Sequence, residues 1–436
     1  MRFAGLSCSL FVCFVGFCSH DAMAQAPQTH TDESKVPQYT LPDPLVFSDG
    51  KPVISKEDWI ERRRPQILEL FTREVYGKSP PAPATVKYEV ISVKEDALDG
   101  KAIRKEIAVT LVEKPLPVVM TILLYLPKSV EKAPVFFGLN FWGNHAITPE
   151  TDVQLNPNWM TSRAEGVIDS RATEASRGTR TNRWPVSLLI ERGYGLATAY
   201  YGDIDPDFDD SFKNGIHPAF LKEGQKKPSE EEWGSIAAWA WGLSRGLDAL
   251  EQIPGVDGTK VAVLGHSRLG KTSLWAGASD PRFAIVISND SGCGGAALSR
   301  RQFGETVARI NHSFPHWFCD NFNKYNDKES ELPVDQHELI ALIAPRPVYV
   351  ASATGDLWAD PKGEFLSAVH ADPVYRLLGT DGFGGEAPPQ ESPAPDHPLK
   401  TGTIGYHLRT GKHDLTTYDW EQYLDFADRH YKAAQK

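Results

Sequence analysis

Cysteine is scarce in this sequence, with five in 436 residues, and three of them, Cys8, Cys13 and Cys18, crowd the N-terminus. That excludes a disulfide-stapled scaffold and leaves no Cys/His cluster at zinc spacing. Positive charge is also in short supply, since 46 Lys and Arg face 57 Asp and Glu, for a net charge of -11. No basic stripe with interleaved aromatics offsets this, so a nucleic-acid partner is not expected. The apolar run from Leu6 to Phe17 falls short of the ~20 residues that a membrane span needs. With 41% apolar and 24% charged residues, disordered and collagen-like classes are excluded and a globular chain with a large core is expected.

The N-terminus carries Arg2, that apolar run, and then Ala22, Met23 and Ala24, the three-part layout of a secretory signal peptide. Residues 1–24 are therefore expected to be removed after Ala24, giving a secreted or periplasmic protein. A lipoprotein anchor on Cys18 is disfavoured because Phe17 stands where a small residue is wanted. After cleavage only Cys293 and Cys319 are left, and in an oxidising compartment they either bridge or stay as two buried thiols. Residues 25–45, rich in Pro, Thr, Gln and charge, read as a flexible leader. Residues 46–436 then form one catalytic domain, since no internal repeat or second unit is visible.

Helical spacing of Trp59, Ile67, Leu68, Leu70 and Phe71 predicts a helix from Ser55 or Lys56. Short β-rich runs follow at Val86 to Val93, Ile103 to Val112 and Pro117 to Leu126, the antiparallel opening of a mixed sheet. Buried strands are predicted at Val135 to Asn140, Gly195 to Tyr200, Val261 to Leu264, Ala284 to Ser288 and Val348 to Ala351. A helix with a repeating apolar face spans Glu231 to Ile253. Strands alternating with helices imply parallel crossovers, and hence a doubly wound, mostly parallel α/β sheet with helices on both faces: a three-layer α/β-hydrolase sandwich. Two polar stretches, His145 to Arg183 and Gly379 to Gly405, follow sheet strands and are expected to build site walls.

The run Val261 to Lys271 reads strand, tight turn with Ser267 at its apex, and helix start, the setting a nucleophile elbow requires. It departs from the generic G-x-S-x-G pattern, because Leu269 holds the second glycine position and Gly270 comes one residue late. Late in the chain, His413 follows Gly411 and Lys412 on a loop and is the expected base, in the order Ser, acid, His. Two acids follow successive strands, Asp290 and Asp356. Asp356 is the favoured orienting carboxylate, with Asp290 contributing or substituting. Asp209, Asp210 and Asp414 lack a strand-end placement and are read as surface residues. The segment Asn140 to His145 is placed to shape the oxyanion side. Arg268 and Lys271 suit an acidic substrate, because cations at a helix N-terminus oppose its dipole and need another reason to be there.

In the form G-x-S-R-x-G-K, carried by Gly265, Ser267, Arg268, Gly270 and Lys271, the chain resembles the glucuronoyl esterases of carbohydrate esterase family 15. The segments Arg300 to Glu305, Trp358 to Pro361 and Gly411 to Leu415 follow in that family's order. The resemblance implies that Arg268 helps stabilise the oxyanion and that Lys271 and Glu305 meet hydroxyls of a glucuronate ring. It also implies that Trp358 borders the sugar. Members commonly carry Glu at the first acid position, where this chain has the shorter Asp290.

The expected reaction is two-step hydrolysis of a 4-O-methyl-glucuronate ester of a lignin alcohol on glucuronoxylan, with no cofactor or metal and a monomer favoured. An acetyl xylan esterase, or another α/β-hydrolase carboxylesterase, would share the triad without needing Arg268, Lys271 and Glu305. A non-catalytic glucuronoxylan binder would keep the pocket without the chemistry.

Overall fold

The computed structural model describes residues 26–114 and 116–432, so the expected signal segment lies outside the described residues. A helical stretch opens the domain, with α1 (Arg64–Phe71) flanked by wider turns at Asp58–Arg63 and Thr72–Tyr76. Strands β1 (Lys87–Ala97), β2 (Ala102–Val112), β3 (Val118–Pro127) and β4 (Ala133–Asn140) come next. A small ribbon, β5 (Val167–Ile168) with β6 (Arg171–Ala172), lies in the long loop before α2 (Val186–Glu191). The rest alternates: β7 (Gly195–Tyr200), α3 (Ser235–Leu250), β8 (Val256–His266), α4 (Arg268–Ser279), β9 (Ile285–Asn289), α5 (Val307–Ser313) and α6 (Gln336–Ala341). It closes with β10 (Val348–Ala353), α7 (Pro361–Leu377), β11 (Ile404–Arg409) and α8 (Thr417–Lys432).

Nine strands form one sheet in the order β1-β2-β3-β7-β4-β8-β9-β10-β11. The first three pair antiparallel, β3 meets β7 antiparallel, and every pair from β7 to β11 is parallel. Successive side chains of a strand point to opposite faces, and here both faces are apolar. Val135 and Phe137 enter the core shared with α1, α3, α4, α6 and α7, while Phe136 enters the core under α2 and α8. Val261 and Val263 divide from Ala262 and Leu264 in the same way. Each large apolar side chain so buried contributes about 1.5–3 kcal/mol relative to exposure, which is what fixes the three-layer arrangement.

All eight expected strands are present in the nine-stranded sheet, to which β11 is an addition, and the β5–β6 ribbon is a further one. The α3 helix begins at Ser235 rather than Glu231 because the preceding backbone is committed elsewhere. Lys78 N donates to Glu231 O at 2.7 Å, and a side chain on Gly77 would strike Glu232 O at 2.3 Å. The leader expected to be flexible lies against the domain, with its carbonyls as acceptors: Arg63 donates to Asp43 O and Pro44 O, each at 3.2 Å, and His337 Nε2 meets Pro42 O at 2.8 Å. Cys293 and Cys319 are free and buried. The expected alternative of a disulfide is therefore corrected: Cys319 Sγ turns to Arg73 O at 3.6 Å, and burial pushes both thiols up.

Candidate active site

Because six neighbouring strands run parallel, their C-terminal ends share one rim, and the residues that follow them meet there. At the end of β8 the chain turns through Ser267, whose φ of 58° and ψ of -129° lie in a region that L residues rarely occupy. The turn is held by Ser267 N donating to Asn289 O at 2.9 Å, and by Gly270 N donating back to Ser267 O at 2.8 Å. Gly265 admits no side chain, since a Cβ would lie 1.8 Å from Leu269 O. At Gly270 a Cβ would come within 2.9 Å of Ser291 Cβ and 3.1 Å of Asn289 O. The displaced second glycine is thus the point where α4 passes the end of β9.

The loops after β10 and β11 are tied together by Gly355 N to Gly411 O at 2.7 Å and Thr354 N to Arg409 O at 2.9 Å. This pairing brings His413 Nδ1 to 2.6 Å from Asp356 Oδ2, with the carboxylate buried and the imidazole 44% exposed. The His413 ring also lies 4.4 Å, centroid to centroid, from that of His266, the residue directly before Ser267. Burial, with His413 close by, holds His266 well below its usual range, so it stays neutral. Ser267 Oγ itself makes no hydrogen bond to His413 among the described residues. The second histidine of this segment, His407, is enclosed in β11 against Asp419 at 2.9 Å.

Asp290 also faces the imidazole: Asp290, Asp356 and His413 each offer one atom, all within 4.8 Å of one another. Two carboxylates and an imidazole at that spacing are also a set that could hold a cation. Asp290 Oδ2 accepts from Asp414 N at 3.3 Å and lies 3.6 Å from Arg409 Nη2, while its Oδ1 has no hydrogen-bond partner among the described residues. Burial first, then the nearby Glu364 and Asp356 carboxylates, pushes Asp290 well above the ordinary carboxylate range. The acid hydrogen-bonded to the imidazole is Asp356.

The other flank is cationic. Arg268 turns along its helix to Asp207 and stacks over Trp317 at 4.8 Å and Phe141 at 5.5 Å from the ring centroids. Asp207 also accepts from Trp317 Nε1 at 2.7 Å and Tyr201 Oη at 3.1 Å, and meets His316 Nε2 at 2.9 Å. Burial alone would raise Asp207, but the Arg268 charge and these donors outweigh it and hold the carboxyl below its ordinary range. Asp207 is not among the expected site residues, and its neighbours Asp209 and Asp210 cap their own loop. The one available signal was its position in the loop after β7. Asp414, read as a surface residue, is half-buried and paired with Arg183 at 2.8 Å.

Lys271 is buried, donating to Ser291 O at 2.5 Å and standing 3.7 Å from Glu305. Burial raises the Glu305 carboxyl, with Lys271 and the Trp358 indole opposing the shift. Trp358 is 42% exposed, at the edge of this wall, with the Arg309 guanidinium over its ring at 5.8 Å from the centroid. Of the expected oxyanion segment, Asn140 and Asn144 are consumed in structural bonds, and Phe141 forms the floor under Arg268. The loop 145–183 reaches the rim through Arg180 and Arg183, which stack on Trp142 at 4.6 and 5.3 Å.

A family model described as glucuronyl esterase, fungi, matches residues 227–379. A carbohydrate esterase of an unknown prokaryotic organism is 52% identical over 412 residues, 94% of each chain. A 4-O-methyl-glucuronoyl methylesterase from Schizophyllum commune is 30% identical over 82% of this chain and 78% of its own. Among solved structures, a glucuronoyl esterase from Solibacter usitatus superposes with a TM-score of 0.85 at 48% identity, covering 91% of this chain and 100% of that one. With the hydrolase sheet, the serine elbow and these relatives in agreement, the chain belongs to carbohydrate esterase family 15, the glucuronoyl esterases.

Proposed function

We propose that the protein hydrolyses esters of (4-O-methyl-)glucuronic acid, as in lignin–glucuronoxylan cross-links, through Ser267, His413 and Asp356. His413, oriented by Asp356, takes the proton of Ser267 as its Oγ attacks the ester carbonyl, then gives that proton to the departing alcohol. Water, activated by the same imidazole, releases the uronic acid from the serine. The Arg268 N–H, in the first turn of α4, and the Arg268 guanidinium face the charge that develops on the carbonyl oxygen. Lys271 and Glu305 are assigned to the ring hydroxyls, and Trp358 to the sugar face. Asp290 supports the acid flank without replacing Asp356. No metal is assigned a role.

The observation that carries this reading is the 2.6 Å contact between His413 and Asp356, on the rim that also holds the strained Ser267. The relatives named for glucuronoyl ester cleavage support the substrate class. Ser267→Ala is expected to abolish cleavage of benzyl glucuronate and labelling by a serine-directed phosphonate, while far-UV dichroism stays unchanged. Turnover at the unaltered rate would refute the nucleophile. A panel of glucuronate methyl ester against acetylated xylan separates this reading from an acetyl xylan esterase. We assign residues 46–436 to one catalytic domain and residues 1–24 to an export signal. Among the described residues no helix is long and apolar enough to cross a membrane.

A further inference from the structure

We propose that residues 30–33 form a strap that positions the sugar-facing wall, with Glu33 as its fastening residue. The proposal rests on the reading of Glu305 and Trp358 as that wall. Glu305 follows Gly304, and the two segments of the wall are pressed together there: Glu305 N donates to Trp358 O at 3.0 Å, and a Cβ on Gly304 would lie 2.4 Å from the same oxygen. The amide of Gly304 points the other way, to His30 O of the strap at 2.8 Å. The His30 ring meets Phe303 edge-on at 6.2 Å.

Glu33 closes the second side. Its carboxylate takes both terminal nitrogens of Arg301, at 2.8 and 3.2 Å, and Lys362 Nζ at 2.6 Å. Arg301 is itself buried and donates to Asp360 at 2.8 and 3.3 Å, and Asp360 caps α7 directly after the Trp358 turn. One guanidinium therefore links the strap, the segment leading to Glu305 and the segment carrying Trp358. A bidentate pair fixes direction as well as distance. Burial works against the Glu33 charge, but Arg301 and Lys362 outweigh it and hold the carboxyl below its ordinary range. Asp32 stiffens the turn by accepting from Ser34 N at 3.0 Å. Glu33 touches neither Ser267 nor His413, so it acts as a positioning residue.

The test compares Glu33→Gln with the unaltered chain on benzyl glucuronate and on 4-nitrophenyl acetate, which has no ring for the wall to grip. Thermal unfolding and amide exchange at Gly304 and Glu305 are followed in parallel. The strap requires KM for the glucuronate to rise roughly threefold to tenfold at near-constant kcat, with acetate hydrolysis unchanged and the two amides exchanging faster. Glu33→Asp, which keeps the charge on a shorter arm, should recover part of the KM. An unchanged KM, or equal losses on both substrates that follow a lower Tm, overturns the strap. If the unaltered chain cleaves acetate and ignores glucuronate, the uronate reading fails at its root and the strap's role falls with it.

Discussion

The two flanks of Ser267 differ in how far they open to water. On the acid–base flank, Asp356 and His413 stand on loops joined by backbone bonds, and the imidazole remains 44% exposed. On the cationic flank, Arg268 is held by Asp207, and Lys271 by Ser291 O beside Glu305, with Lys271 only 4% exposed. A base that must gain and lose a proton at each turnover benefits from contact with water and a ring with some freedom. A wall proposed to meet ring hydroxyls benefits from low local dielectric, where each hydrogen bond counts for more. Under the proposed function the first flank serves any ester, and the second selects which ester.

Exchanging the acids is the strongest way to break this division. Asp356→Asn should lower kcat by roughly 10³–10⁴-fold, because the imidazole loses its tautomer and its counter-charge, whereas Asp290→Asn should stay within about tenfold. Steady-state kinetics on benzyl glucuronate decides it, and the reverse ranking would make Asp290 the orienting acid. On the cationic flank, Arg268→Ala should cost about 10²–10³ in kcat if the guanidinium meets the oxyanion. Asp207→Asn should cost less, about tenfold, through a loosened Arg268. A loss in KM alone would assign Arg268 to substrate binding instead.

The smallest effect expected is on stability. Glu364, beneath the acid flank, accepts from Ser291 N at 2.8 Å and Gly292 N at 2.9 Å, and burial pushes it up from 4.5 to about 7. Between those values the folded chain keeps a proton that the unfolded chain has released. Its contribution is therefore full below pH 4.5 and is lost as pH rises through 7. Glu364→Gln cannot titrate, so its Tm should fall less than that of the unaltered chain between pH 5 and pH 8. Parallel curves would show that Glu364 is ionised throughout.

Much of this arrangement was legible in the chain, for reasons that differ by element. Short apolar runs between turn formers marked the five buried strands, because a sheet covered on both faces needs apolar residues at every position, while β-rich runs marked β1 to β3, of which β1 stays mostly exposed. The elbow was legible because Gly265 and Ser267 meet a local steric demand. Strand β11 was hidden by His407 and Arg409, whose polarity is neutralised by Asp419 from α8, a partner that no local pattern reveals. Asp207 was hidden likewise, since its donors other than Tyr201 come from α4 and from the segment around His316 and Trp317.

By itself the sequence determined the layered α/β class and the place of the serine turn, since these depend on periodicity and on neighbours a few residues away. Tertiary structure alone decided which carboxylate touches the imidazole, that Arg268 rests on Asp207, that the two thiols stay apart from a disulfide, and that residues 30–44 lie against the domain. Each of those depends on a distance between chain segments far apart in sequence, which is fixed only when the sheet is assembled.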